Sequence, residues 1–291
     1  MIKIDNYTPK KVEYRGKITI FDKKYVIKKE NNKIFDYLES RNFNYFPKII
    51  ENNRALITEY IDEIDYPEEQ KLYDLIDLTS LLHSKTTYFK EVDEDKIKGI
   101  YEDIKSNIEY LYTYYEDKIT LIEKKVYMSP SEYLIARNID KIFYVLDIAR
   151  KELEELLLVI PKKIRYVVVH NNLNLTHYIR NKQEYLTSWD KAKFDIPIFD
   201  LYKLFIKYPK YNYLDLLQRY EIKYPLLDYE KKILLILLGL PEILKENKDE
   251  FEKTRTIKKM IIKLENLPDY LKQTPKDEHP PKETQENVKS S

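Results

Sequence analysis

The chain has 291 residues, 51 basic against 50 acidic, a formal net charge of +1 and no cysteine. That length supports a sizeable core and two lobes, and the balanced charge gives no overall field to draw nucleic acid or an anionic membrane. The missing thiols exclude a disulfide framework and a cysteine-based zinc site. No apolar run approaches a membrane span, the longest being Ile233 to Leu240. The opening MIKIDNYTPKKVEY has no apolar core, which predicts no signal peptide.

In chain order, KVEYRG, KITIF and KYVIKK over residues 11–29 cluster β-formers around an Asp22–Lys23 turn and predict a small antiparallel unit. Residues 31–42 place Ile34, Phe35 and Leu38 at helical spacing. FNYFPKII predicts a turn into a strand, and RALITEYIDEI a strand that leaves the unit. From Tyr66 the pattern turns helical. KLYDLIDLTSLLHSKT is an amphipathic helix in which His83 is expected to be structural. Residues 92–126 repeat Ile97, Tyr101, Ile104, Ile108, Leu111 and Tyr115 at a three-to-four spacing. Ser129-Pro130-Ser131 breaks the pattern, with Ser131 expected to cap the helix that follows and Pro161 to end it.

Val167, Val168 and Val169 then form a β-branched run ending on His170, as a buried strand does when it delivers a loop to a site. A hairpin follows, turning at Asn181 to Glu184. Its rims carry two polar clusters: His170, Asn171, Asn172, Asn174 and His177, then Ser188, Trp189, Asp190, Asp195 and Asp200. Beyond Asp200, three or four helices are broken at Pro209, Pro225, Pro241 and Pro268. From Gln273 the chain is Pro-rich and polar, which predicts a disordered tail whose His279 binds no metal.

The stretch from Val167 to Leu201 resembles the catalytic segment of the aminoglycoside phosphotransferase-like kinases. Within that superfamily it is most similar to the CotS-type spore coat proteins of endospore-forming bacteria. The family pattern is H-x-D-x-x-x-x-N, a short hairpin, D-[WFL]-[DE] and P-x-x-D-L. His170, Trp189, Asp190, Pro197, Asp200 and Leu201 keep it. Asn172 stands at the catalytic Asp, His177 at the metal-binding Asn and Ser188 at the second metal-binding Asp. LTSLLH around His83 and the order of the C-terminal helices extend the resemblance over residues 12–272. It implies an α+β, two-lobed protein kinase-like fold with a small antiparallel sheet lobe and a large helical lobe. Residues 1–62 would be the sheet lobe with one helix, 63–272 the helical lobe and 273–291 the disordered tail, with a hinge near Glu59 to Asp65.

The same resemblance places Lys28 at the phosphate-binding lysine of the third strand, although the residues alone equally suit a lysine on an exposed strand face. Glu59 to Ile61 would offer backbone groups to an adenine, or form a plain buried strand with a polar exit. Gly16 is the one glycine in the loop that would cover phosphates, where backbone N–H groups need close approach. The helix glutamate that pairs with the strand lysine in the family has no clear counterpart; Glu30, Asn31 or Lys33 falls near it.

Phosphoryl transfer needs a carboxylate to orient the attacking hydroxyl and oxygen ligands to hold magnesium. Asn172 is no base, His177 offers nitrogen, and Ser188 carries no charge. Asp190, two residues after Ser188, would share its side of an extended segment and could serve as a displaced ligand. Two functions follow from the resemblance. One is a catalytically silent component of the endospore coat, made in the mother-cell cytoplasm, with other coat proteins as partners. It would use no metal and no cofactor beyond weak ATP binding at Lys28, Glu59 and Ile61. The other is an active phosphotransferase on a small molecule, aminoglycoside kinase-like or choline kinase-like, using displaced ligands. In either, His170 holds the loop through backbone hydrogen bonds and Asp200 braces it from behind.

Overall fold

Tight turns fold the first strands into one sheet. The computed structural model describes residues 7–28, 33–52, 55–245 and 247–267. Glu30, Asn31, Pro268, His279 and the tail from Gln273 lie outside the described residues. Strands β1 (Val12–Arg15), β2 (Ile18–Phe21), β3 (Tyr25–Lys28), β4 (Ile49–Asn52) and β5 (Leu56–Glu59) form an antiparallel sheet in the order β1-β2-β3-β5-β4. The β2–β3 turn has Asp22 and Lys23 in the left-handed region, at φ of 52° and 50°. Asp tolerates that region because its short side chain can bond locally. Here the Asp22 carboxylate accepts from the Lys10 and Lys11 N–H groups and the Tyr7 hydroxyl.

The sheet has only a small core of its own: Phe21, Ile27, Ala55 and Ile57. Helix α1 (Ile34–Ser40) does not join it. Its buried face of Ile34, Phe35 and Leu38 belongs with Phe43 and Phe46 to the main core of the helical part. The sheet lobe is thus clamped by α1 to the larger body.

That body contains α2 (Glu68–Thr86), β6 (Tyr88–Glu91), α3 (Glu94–Glu123), α4 (Pro130–Val159), β7 (Lys163–Val169), β8 (Tyr178–Arg180), β9 (Glu184–Leu186), β10 (Lys193–Asp195), α5 (Ile198–Lys207), α6 (Tyr213–Glu221), α7 (Asp228–Gly239) and α8 (Glu250–Glu265). The Val167–Val169 run is the fully buried end of β7, central in a second antiparallel sheet ordered β10-β7-β6. Composition did not reveal its two partners. They are three- and four-residue edge strands rich in Lys, Glu and Asp, and tertiary pairing with β7 overrides their weak local preference.

The long helices pack as their apolar stripes direct, with Ile108, Leu111 and Tyr115 of α3 buried. Gly239 permits α7 to approach α4 closely, since a Cβ there would sit 3.3 Å from the Val145 carbonyl oxygen. The cap of α4 corrects the expected one. Ser129, not Ser131, is the N-cap. Its hydroxyl accepts from the Glu132 N–H, and the Glu132 carboxylate accepts from the Ser129 N–H at 3.0 Å. Pro130 occupies the first helical position, where no N–H is needed, and only this register puts a Glu three residues after the cap. Ser131 is buried, and its N–H donates to Glu250 at the start of α8 at 2.6 Å.

Two buried cations tie α7 and α8 to this body. Arg165 of β7 pairs with the fully buried Glu230 of α7 and donates to the Pro225 carbonyl. Lys263 of α8 is 4% exposed and donates to the Leu240 carbonyl at 2.6 Å. Burial pushes its pKa down to about 8, against the opposing pull of Glu242. Between that value and its ordinary 10.5 the unfolded chain holds a proton on Lys263 that the folded chain does not. Stability therefore rises with pH in this window. Above it, buried phenols such as Tyr115 and Tyr213, whose pKa values are raised by burial, reverse the trend. The denaturation midpoint should climb from about pH 7.5 to about pH 9.5, and the climb should be much shallower in Lys263→Met. A flat wild-type profile, or an unchanged slope in the variant, would contradict the assignment.

Candidate functional site

Between the sheet and the helical body lies a cleft of about 1120 Å³. Gly16, Lys28, Glu59 and Ile61 line it on the sheet side, and Asn172, His177, Ser188 and Asp190 on the other. The loop carrying Asn172 is held from behind. Asp200 sits in the first turn of α5, is fully buried, and accepts the backbone N–H groups of His170 and Asn171, each at 2.7 Å. Its third partner is His83 Nε2 at 3.2 Å, and His83 Nδ1 meets the Tyr220 hydroxyl at 2.6 Å. Asn171 can therefore hold a left-handed φ of 60°.

His170 is completely buried. Its Nε2 faces the Thr187 carbonyl at 2.8 Å, which assigns the proton there and leaves Nδ1 without a partner among the described residues. Burial pushes its pKa down to about 4, so the ring is neutral and serves as a strut between loop and hairpin. Trp189 packs edge-on against it at 4.8 Å and contacts Phe35, Phe43 and Phe46. Asn174 caps the turn after the loop, its Oδ1 accepting from Tyr208 at 2.7 Å. Asp195 lies at the end of β10 in a pair with Lys193.

On the cleft side, His177 Nδ1 donates to the Asn172 carbonyl at 2.8 Å. Burial, and then the nearby Lys207 and Lys28, hold the imidazole pKa below its usual range, although the Asn172 bond opposes them. The ring is neutral near pH 7 and offers only a nitrogen lone pair, which suits magnesium poorly. Asn172 brings an uncharged amide.

Ser188 and Asp190 depart from expectation. The segment is not extended: Ser188 is left-handed, with φ of 65°, and Trp189–Lys191 form a 3₁₀ turn. The two side chains converge nonetheless, because both meet Lys28. Its ammonium donates to Ser188 Oγ at 3.0 Å and pairs with Asp190 Oδ1 at 3.1 Å. Burial pushes the Asp190 pKa up, but the hydrogen bond and charge of Lys28 outweigh it and hold the carboxyl below its usual range. Lys28 thus lies in the cleft and not on an exposed strand face. Among the described residues Asp190 is its carboxylate partner, and Lys33 brings only a like charge.

Where the chain leaves β5, the Glu59 N–H donates to the Lys48 carbonyl, the Glu59 carboxylate accepts the Lys48 N–H, and the Tyr60 N–H goes to the Lys24 carbonyl. Ile61 alone of the three keeps both backbone groups without a hydrogen bond to described residues. The N–H groups of Glu59 and Tyr60 are therefore occupied, while that of Ile61 is not bonded among the described residues. Among the described residues no group of three His, Asp or Glu is arranged to hold a metal ion.

Motif spacing brought His170, Asn172, His177, Ser188, Asp190 and Asp200 to one place. It missed Tyr220 and the Thr187 carbonyl. One lies far along the chain from the histidine it bonds, and the other is a backbone group that leaves no mark in the sequence.

No protein-family model matches the chain, and no curated protein sequence does. The fold does have solved counterparts. An aminoglycoside phosphotransferase from Alicyclobacillus acidocaldarius superposes with a TM-score of 0.67 over 91% of each chain, at 10% identity. AMP-bound spectinomycin phosphotransferase gives 0.50 at 13% identity, over 91% of this chain and 94% of that one. The choline kinase LicA from Streptococcus pneumoniae gives 0.42 at 16%, over 88% of this chain and 87% of that one. The chain has the two-lobed aminoglycoside phosphotransferase-like, protein kinase-like α+β fold.

Asp200→Ala strands two backbone donors and one imidazole, at about 1–3 kcal/mol for each lost bond. Asn172→Ala, on the cleft wall, should change stability by within about 0.5 kcal/mol. Denaturant titration of the two variants should separate them clearly, and equal shifts would refute the bracing role.

Proposed function

We propose that the protein is a catalytically silent kinase-fold protein that works by interaction, as a component of the bacterial endospore coat. What supports the silent reading is the charge state of the cleft. Asn172, His177 and Ser188 are neutral where phosphoryl transfer uses a base and metal ligands, and the nearby carboxylate, Asp190, is held by Lys28. Fold alone carries no activity with it. The coat assignment rests on the sequence resemblance over residues 12–272. It would place the protein in the mother-cell cytoplasm, assembling onto the forespore with other coat proteins. Such a role needs neither a metal nor a cofactor. ATP would bind weakly through Lys28 and the free backbone groups of Ile61, with little dependence on magnesium.

A second reading, a small-molecule phosphotransferase with displaced ligands, draws on the convergence of Ser188 and Asp190 on Lys28. It requires the Lys28–Asp190 pair to open so that Asp190 can take a metal.

Incubated with ATP and magnesium, the protein should transfer no phosphate to itself, to aminoglycosides or to small amino alcohols. Turnover at an ordinary kinase rate of about 1 to 100 per second, lost in Asp190→Ala, would establish the second reading. A fluorescent fusion followed through sporulation should form a shell on the forespore. Diffuse signal in vegetative cells with none on the forespore would remove the coat role.

A further inference from the structure

We propose that the aromatic face of the sheet β10-β7-β6 binds an acidic peptide segment of a partner protein. Tyr88 of β6 stands opposite Tyr166 of β7, and Phe194 of β10 opposite Val168, two residues further along β7. Side chains alternate along a strand, so Tyr88, Tyr166 and Phe194 share one face, and Lys90, two residues after Tyr88, shares it too. Arg165 lies on the opposite face, buried against Glu230 of α7. The rings are in unbroken contact. Tyr37 of α1 meets Phe194 at 5.0 Å, Phe194 meets Tyr88 across β7 at 5.8 Å, and Tyr88 stacks on Tyr166 at 5.8 Å. Tyr88, Tyr166 and Phe194 lie outside the main core, and Phe194 is 42% exposed.

A cation sits at each end of this row. The Arg41 guanidinium lies 5.2 Å from the centre of the Tyr37 ring, and the Lys90 ammonium 5.8 Å from that of Tyr166. Arg41 also donates from Nε to the Tyr37 hydroxyl at 3.2 Å. Neither cation has a carboxylate partner among the described residues. The carboxylates carried by the sheet itself are taken: Glu91 of β6 pairs with Lys163, and Asp195 of β10 with Lys193.

A row of rings with an uncancelled cation at each end fits an extended segment that has carboxylates at both ends and apolar or proline side chains between them. The carboxylates gain charge-assisted hydrogen bonds from Arg41 and Lys90, and the apolar stretch covers Phe194 and Tyr88. Successive steps along the row are 5.0 to 5.8 Å, a path that about eight extended residues at ~3.3 Å each can follow. Single-stranded nucleic acid fits less well. Its bases stack on open ring faces, and Arg41 and Lys90 already lie over those of Tyr37 and Tyr166. None of these residues lines the cleft, so the surface stands whichever reading of the cleft holds.

The test is fluorescence anisotropy of a labelled peptide, Glu-Glu-Pro-Leu-Pro-Leu-Glu-Glu, titrated with the full chain at fixed ionic strength, with amide chemical shifts to locate the contact. Binding should be saturable and should move the resonances of β6, β7 and β10. The same peptide with Gln for every Glu should not bind, nor should an oligothymidylate of similar length. The Arg41→Gln/Lys90→Gln pair should weaken peptide binding by about tenfold or more, and Phe194→Ala should weaken it with the charges intact. Lys98→Gln, a like charge change on the exposed face of α3, should leave it unaltered. Should the double variant fold poorly, Lys90→Gln alone, at an exposed edge position, gives the same readout at reduced size. No saturable binding, equal binding of the Gln peptide, tighter binding of the oligonucleotide, or an undiminished response in the cation variants would overturn the proposal.

Discussion

The Asp200 carboxylate is the constraint on which the rest of the site depends. It is fully buried, so it is tolerable only because donors surround it: two backbone N–H groups of the loop and the His83 ring. Those three bonds, with the His83–Tyr220 bond beyond them, join four elements. The loop leaves β7, Asp200 opens α5, His83 belongs to α2, and through the Tyr220 hydroxyl the chain of bonds reaches α6. A single charge in the core thereby fixes where β7 ends and where α5 begins, and so where Asn172 and His177 stand against the cleft.

A second set of contacts closes the two lobes on each other. Trp189 sits among Phe35, Phe43, Phe46 and His170, so helix α1 is packed on the segment that carries Ser188 and Asp190. Lys28 reaches across from β3 to the same segment. The β8–β9 hairpin adds backbone bonds to both sides, from Leu186 to the Tyr45 carbonyl and from Ile64 to the Arg180 carbonyl. Architecture and chemistry are therefore separable here. The residues behind the loop hold its shape through backbone groups and aromatic packing, and none of them depends on what occupies positions 172, 177 and 188.

Motif and periodicity determined much of this from the sequence alone. The amphipathic pattern of α2, the 3–4 spacing of α3, the β-branched end of β7, the turn at Asp22–Lys23 and the spacing from His170 to Asp200 are encoded within runs of a few residues to a few tens, where local preference and burial act together. Even there, the α4 cap shifted to Ser129, because Pro130 and Glu132 set the register more strongly than Ser131. The short edges β6 and β10 were illegible, since three or four residues in which Lys, Glu and Asp flank Tyr and Phe hold no strand without β7 beside them. Which carboxylate pairs with Lys28 was illegible too, as the partners lie 162 residues apart and an extended Ser188–Asp190 segment was the wrong local geometry. The tertiary structure alone decided that pairing and the neutral state of His170 and His177. Each is set by which groups the fold brings within a few ångströms and by how much water it removes, quantities that no stretch of sequence contains.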